Sequence, residues 1–216
     1  MRIIVASNNK HKVEEIKDIL KGLDYEVLSL KDAGIQIDPE ETGETFEENA
    51  YIKARAVYDH IKEQEKAHPE KKHKKEYRNN LILGDDSGLC VDHLKGEPGV
   101  YSNRWAGTPG DAESNNRKLL EELKGVPMEQ RTARFVSAMV LIGHKTDIRV
   151  EGTAEGYIIE EEKGFHGFGY DPLFFSSDLA KTFAEASSLE KNHVSHRARA
   201  LAKLKQELVK KEIVKA

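Results

Sequence analysis

Leu81-Ile-Leu-Gly-Asp-Asp-Ser-Gly-Leu89 is the stretch on which the fold is decided. Leu81 to Leu83 is an apolar run too brief for a helix and stopped by Gly84, so it predicts a short buried strand. Asp85 and Asp86 follow where that strand is expected to run out, and Ser87-Gly88 supplies turn formers. At strand ends of an α/β scaffold, loops open into a crevice while the strand holds them rigid, and ligands dock there. Two acids in such a place suit a hard divalent cation, or one metal ligand plus one general base. The same four residues also make an ordinary polar turn.

Outward toward the N-terminus, Ile3 to Ala6 predicts a first strand, and Ser7-Asn8-Asn9 caps a helix with Val13, Ile16, Leu20 and Leu23 on one face and Gly22 near its end. A strand passing through a capped turn into a helix presents unpaired backbone N–H groups, an anion site. Lys10 and Lys12 lie in the first turn, where the helix dipole disfavours cations, so they read as solvated lysines or as partners of a bound anion. Tyr25 to Leu30 predicts a second strand. The acidic loop 38–48 then feeds a helix through a capping box, Thr45 with Glu48, and Phe46, Ala50, Ala54, Val57 and Ile61 form its inner stripe.

Residues 62–79 are rich in Lys, Glu, His and Asn. The run Lys71-Lys72-His73-Lys74-Lys75 has neither interleaved aromatics nor metal-ligand spacing, so it reads as a solvated insertion. Beyond the acid pair, Cys90 to Leu94 predicts a strand and Gly96 to Gly107 a long ordered loop. Asp111 caps a helix with Leu119, Leu120 and Leu123 inward; Arg131 to Ile142 alternates as a strand, and Ile148 to Ile159 is extended but broken at Gly152 and Gly156. Gly164-Phe-His-Gly-Phe-Gly-Tyr-Asp-Pro172 is a glycine-aromatic loop without dinucleotide or P-loop spacing. Its aromatics suit a flat base or plug a core. Ser195 caps a last helix with Ala198, Leu201, Leu204 and Leu208 inward, which sets His196 and Arg197 at a helix N-terminus.

The 216 residues are enough to bury a real core, and 38 acids against 34 bases create no global field that recruits nucleic acid or anionic membrane. The single cysteine, Cys90, excludes an intrachain disulfide framework and a Cys-rich zinc site. The first apolar run is too short for a signal peptide, and no run approaches the roughly 18 apolar residues that span a bilayer. These features predict a cytoplasmic protein. Cations at two helix starts, an aromatic loop and an acid pair together read as a nucleotide polyphosphate site.

Ser7-Asn8-Asn9-Lys10-His11-Lys12, Glu41-Thr-Gly, Phe46-Glu-Glu-Asn-Ala, Gly84-Asp-Asp-Ser-Gly-Leu89, Pro98-Gly-Val-Tyr-Ser102, Gly167-Phe-Gly-Tyr-Asp-Pro172 and Ser195-His-Arg197 occur in that order. In this they resemble the inosine triphosphate pyrophosphatase family, also called Ham1-like or non-canonical purine NTP pyrophosphatases. The resemblance runs from residue 2 to about residue 208 and implies one such domain over 1–216, with the charged stretch 62–79 as an insertion. It implies an elongated α/β fold: a long mixed central β-sheet flanked by helices, and two lobes with the active-site cleft between them. The implied activity is magnesium-dependent hydrolysis of ITP, dITP and XTP to the monophosphate and pyrophosphate, by a homodimer.

Carried over by motif, Ser7, Asn8, Asn9, Lys10, His11 and Lys12 cradle the triphosphate, and Lys53 binds phosphate. Asp86 matches the general base and a magnesium ligand, Glu41 a second metal ligand, and Ser87 a substrate contact. Phe168, Gly169, Tyr170 and Asp171 match the base-binding loop, with Lys191, His196 and Arg197 as the remaining substrate contacts. His11 stands where many bacterial relatives have glycine. A Maf-like pyrophosphatase of different base preference and a non-catalytic nucleotide-binding module are the alternatives. The Ser-His-Arg and Phe-Gly-Tyr-Asp motifs speak against the first, and the intact acids against the second.

Overall fold

The computed structural model describes residues 2–21, 25–68 and 80–210. Strand β1 (Arg2–Val5) leads into α1 (Lys10–Leu20), followed by β2 (Glu26–Ser29), α2 (Phe46–Ala67) and β3 (Asn80–Val91). After β3 come α3 (Ala112–Glu122), β4 (Thr132–Gly143), β5 (Thr146–Ile158), β6 (Phe174–Ser176), β7 (Lys181–Thr182), α4 (Ser188–Val194) and α5 (His196–Lys210). Short 3-10 turns fall at Gly99–Tyr101 and Met128–Gln130. The expected Gly22, Leu23 and Lys71 to Lys75 lie outside the described residues. Of the charged stretch, the part up to Ala67 is the end of α2.

The strands form one seven-stranded sheet in the order β2-β1-β3-β4-β5-β6-β7. It is mixed: β1 pairs in parallel with β2 and β3, while β6 runs antiparallel to both β5 and β7. Parallel neighbours need a crossover, and α1 and α2 supply it. The expected α/β class with a mixed, helix-flanked sheet is therefore correct.

The chain divides into two compact units. The first takes the residues up to Asp86, Ala138–Glu151 and those from Leu201 on. Its core joins Ile4, Leu30, Ala50, Ala54, Val57, Ile61, Ile82 and Val140, so the stripe read on α2 is its buried face, with Phe46 only half-buried at the edge. The second takes Ser87–Ser137 and Gly152–Ala200, around Leu89, Leu119, Leu123, Phe135, Phe174 and Phe183. Each fully buried Leu or Phe contributes roughly 1.5–3 kcal/mol, which outweighs the modest propensities of the short strands.

Three expectations are corrected, one of them the strand over Cys90 to Leu94, of which only Cys90 and Val91 are in β3 while Asp92 to Leu94 turn. β3 does not stop at Leu83 and turn at Ser87-Gly88; it continues through both acids to Val91. Gly84 is the reason that α2 can lie on it, since a Cβ there would stand 2.0 Å from the Ala50 carbonyl oxygen. Turn formers are overridden when tertiary packing occupies both sides of a strand. Likewise β5 is not broken at Gly152 and Gly156. These glycines are close approaches: a Cβ would meet the His196 carbonyl oxygen at 2.2 Å and the Phe175 carbonyl oxygen at 2.2 Å.

Candidate active site

In the first unit, the turn from β1 into α1 is built by its own side chains. The Ser7 hydroxyl accepts from the Asn9 N–H at 3.2 Å, and Asn9 Oδ1 caps α1 by accepting from the Lys12 N–H at 3.2 Å. Asn8 is turned to the neighbouring loop, donating to the Ile37 carbonyl and to Asp38 Oδ1 at 3.1 and 3.0 Å. Lys10 and His11 are exposed. Lys12 reaches the fully buried Asp85, Nζ to Oδ2 3.3 Å. An internal carboxylate thus offsets the unfavourable place of this cation on the helix dipole.

One turn beyond Ala50 on α2, Lys53 is 8 % exposed and bridges two carboxylates: Glu41 Oε1 at 3.1 Å and Asp86 Oδ1 at 2.7 Å. Asp86 is 5 % exposed, and its second oxygen, Oδ2, is buried with no hydrogen-bond partner among the described residues. Burial raises the Asp86 carboxyl above the usual carboxylate range, against the pull of Lys12 and Lys53. Burial also works against the Lys53 ammonium, yet the charges of Asp86 and Glu41 outweigh it and hold its pKa above the ordinary lysine value. The result is a protonated lysine between two acids, one of which has an oxygen to offer.

No group of three or more His, Cys, Asp or Glu residues arranged to hold a metal occurs among the described residues. Magnesium does not require one: it keeps waters and takes one or two carboxylates plus substrate oxygens. Glu41 and Asp86, already gathered on one cation and with Asp86 Oδ2 unsatisfied, are a fitting donor set.

In the second unit, the glycine-aromatic loop is pinned from several sides. The Phe165 and His166 N–H groups both donate to the Ala184 carbonyl, at 3.1 and 3.0 Å, leaving the Phe165 ring 89 % exposed. Asp171 is 2 % exposed; its Oδ2 accepts from the Phe168 N–H at 2.9 Å and from Lys191 Nζ at 2.6 Å. Gly167 is obligatory there, with φ +76° and a hypothetical Cβ 2.1 Å from that same oxygen. The Lys191 ammonium lies 4.9 Å from the Phe168 ring centroid and 5.5 Å from that of Phe183. Gly169 has φ +63°, and its carbonyl accepts from Asn116.

Tyr170 is buried, donates its hydroxyl to the Ser102 carbonyl at 2.9 Å, and has its pKa driven up by that burial. Of this loop's predicted residues, Tyr170 and Asp171 therefore brace it, and Phe168 is the half-buried ring beside the lysine. His196 stacks on Phe135 with centroids 4.9 Å apart, and fully buried Arg197 donates to the Ser87 hydroxyl at 3.0 Å. Both start α5, whose Ala198 N–H is capped by the Ser195 hydroxyl at 3.1 Å.

The structure thus gathers Lys12, Glu41, Lys53, Asp85 and Asp86 in one unit, and Phe168, Asp171 and Lys191, with Ser87 and Arg197, in the other. Asp85, half of the acid pair read at the strand end, is a partner of Lys12, and the motifs did not single out Asn115 and Asn116. Both asparagines are buried inside α3, where asparagine is unfavourable, and that misfit was the available signal.

Fold and clusters together define an α/β protein with charge-lined, largely buried polar groups suited to an anionic ligand. The chain belongs to the Ham1 family, whose model matches residues 3–207. It is 46 % identical to a dITP/XTP pyrophosphatase of Caldanaerobacter subterraneus subsp. tengcongensis, over 98 % of each chain. It is 48 % identical to a dITP/XTP pyrophosphatase of Bacillus subtilis, over 93 % of each. Among solved structures it resembles the Staphylococcus aureus Ham1 protein, with TM-score 0.78, 37 % identity, and 98 % of this chain and 100 % of that one covered. A nucleoside-triphosphatase / dITP/XTP pyrophosphatase from Mycobacterium abscessus matches at TM-score 0.69 and 40 % identity, covering 94 % of this chain and 98 % of that one.

Proposed function

We propose that this protein hydrolyses inosine, deoxyinosine and xanthosine triphosphates to the nucleoside monophosphate and pyrophosphate. The observation that carries the reading is Asp86: one carboxylate oxygen is held by Lys53, and the other is buried and unsatisfied. A carboxylate with a raised pKa and one unoccupied oxygen is equipped to orient a water and accept its proton. The water oxygen attacks the α-phosphorus, the bond from that phosphorus to the bridging oxygen breaks, and pyrophosphate leaves with the electron pair.

Lys12 and Lys53 offset the charge that builds on the phosphates, in a site where burial strengthens each interaction. Glu41 and Asp86 would hold magnesium, which supplies further charge neutralisation of the triphosphate when bound. Phe168 would stack on the purine while Lys191, His196 and Arg197 supply donors. A 6-oxo purine accepts from such donors, whereas the 6-amino group of adenine opposes them. Guanine shares the 6-oxo group, so its rejection has to act on its 2-amino group.

The proposed setting is the cytoplasmic nucleotide pool, with the chain as a homodimer; no described helix is long and apolar enough to cross a membrane.

Asp86→Asn tests the role directly, because it keeps the shape and removes the proton acceptor. Pyrophosphate release from ITP is expected to fall by roughly 10²–10⁴-fold with the circular dichroism spectrum unchanged. Turnover near that of the parent protein would remove Asp86 from the mechanism.

A further inference from the structure

Asn115 and Asn116 sit side by side on α3, each 4 % exposed. Helix interiors disfavour asparagine, and a leucine would fill either volume at lower cost. Each amide is occupied with a different loop. Asn115 Oδ1 accepts from the Ala106 N–H at 2.7 Å, and its Nδ2 faces the Ser102 and Asn103 carbonyls at 3.3 and 3.4 Å. Asn116 Nδ2 donates to Glu162 Oε1 at 2.8 Å and to the Gly169 carbonyl at 3.3 Å.

The orientation of the Asn116 amide is settled by those two acceptors, since only its nitrogen can serve both. Its own oxygen, Oδ1, is then buried with no hydrogen-bond partner among the described residues. Leaving a buried acceptor unsatisfied is unfavourable, so the two donated bonds offset a real penalty. Both go to the ends of one segment, Glu162 and Gly169, and every residue from Lys163 to Gly167 between them is exposed. Beyond it, Phe168 is held from within its own loop by Asp171.

We propose that Asn116 is a positioning residue for the base-binding loop. It ties both ends of residues 162–169 to a rigid helix, so that the Phe168 ring stays beside Lys191 before a base arrives. The identity of the ligand rests on the function proposed above; the clamp itself does not. Pre-positioning of this kind lowers the ordering cost of binding and leaves the chemical step, carried out at Asp86, untouched.

Asn116→Asp is close to isosteric and sets a carboxylate against the Glu162 carboxylate and the Gly169 carbonyl; Asn116→Ala removes the tie. The first readout is amide hydrogen exchange in the nucleotide-free protein. Exchange across residues 164–172 is expected to speed up by about tenfold in both variants, the equivalent of losing a bond of about 1.4 kcal/mol, with β4 unchanged. The second is steady-state hydrolysis of ITP, where KM is expected to rise about tenfold with kcat within about twofold of the parent. Adding Glu162→Gln to Asn116→Asp gives the new carboxylate a donor and should recover part of the lost KM. Loop exchange equal to that of the parent would overturn the proposal. So would a fall in kcat and melting temperature together with KM unmoved, the mark of a merely structural residue. If the parent protein releases no pyrophosphate from ITP, the functional reading fails, and the exchange experiment still decides the clamp.

Discussion

Replacing Gly84 with alanine should damage the site without touching a charged group. Gly84 and Asp86 are two apart on β3 and so share a face; Ala50 and Lys53 are three apart on α2 and do likewise. The clearance at Gly84 therefore sets the distance between Lys53 and Asp86. A Cβ on Gly84 would stand 2.0 Å from the Ala50 carbonyl oxygen, about 1 Å inside the 3.0 Å that real Cβ atoms keep. Both close neighbours are backbone, so the helix has to lift by about that amount. Overpacking of this kind costs roughly 1–3 kcal/mol.

The same lift lengthens the 2.7 Å contact of Lys53 with Asp86. At an effective dielectric of about 20, stretching that pair to about 3.7 Å forfeits roughly 1.7 kcal/mol of attraction. The sum, roughly 3–5 kcal/mol, is a large share of the stability of an ordinary domain. Urea unfolding followed by circular dichroism should show a lower midpoint at an unchanged slope. Pyrophosphate release per folded molecule should fall as well. Stability within about 0.5 kcal/mol of the parent, together with full activity, would refute the claim that this helix–strand contact spaces the site.

Phe168→Ala should weaken purine nucleotide binding by roughly 1–3 kcal/mol, read as KM or as IMP affinity by calorimetry, with the rate at saturation little changed. Glu190 caps α4 with Ser187, and hydrogen bonds from Lys181 first, then from Ser187, bring its carboxyl down from 4.5 to about 2. A depressed carboxylate contributes stability above its unfolded pKa and loses it as pH falls through the folded one. Glu190→Gln should therefore melt lower than the parent at pH 5 to 7, and the gap should close as pH approaches about 2. A gap that is constant with pH would mean that the charge is irrelevant to the cap.

What could be read in the chain in advance was local. Asn9, Thr45 with Glu48, Asp111 and Ser195 cap the helices as expected, because a cap depends on residues three or four positions apart. Val13, Ile16 and Leu20 of α1, Ala50, Ala54, Val57 and Ile61 of α2, and the stripe of α5 also follow from spacing alone. What was not legible depends on distant partners. Asp-Asp-Ser-Gly is a turn by composition and a strand interior in fact, since Lys53, 33 residues earlier, binds Asp86 and α2 closes over Gly84. Gly152 and Gly156 look like breaks and are contact points for the α5 backbone and for β6. Lys12 invited an external anion, and its partner includes Asp85. The order of the motifs points to the candidate residues; the bridge that Lys53 makes between Glu41 and Asp86 and the hydrogen bonds of Asn116 are not legible there, because each joins segments with no sequence proximity.

Metal-assisted cleavage of ITP, dITP and XTP between the α- and β-phosphates is the activity proposed for the site. The decisive assay is pyrophosphate release from ITP, dITP, XTP, GTP and ATP, each with magnesium and with EDTA. Release from ITP, dITP and XTP is expected to be rapid and magnesium-dependent, with GTP and ATP far slower. Equal release from all five nucleotides would contradict the base-selection argument, and orthophosphate in place of pyrophosphate, or no product at all, would contradict the reading of the site.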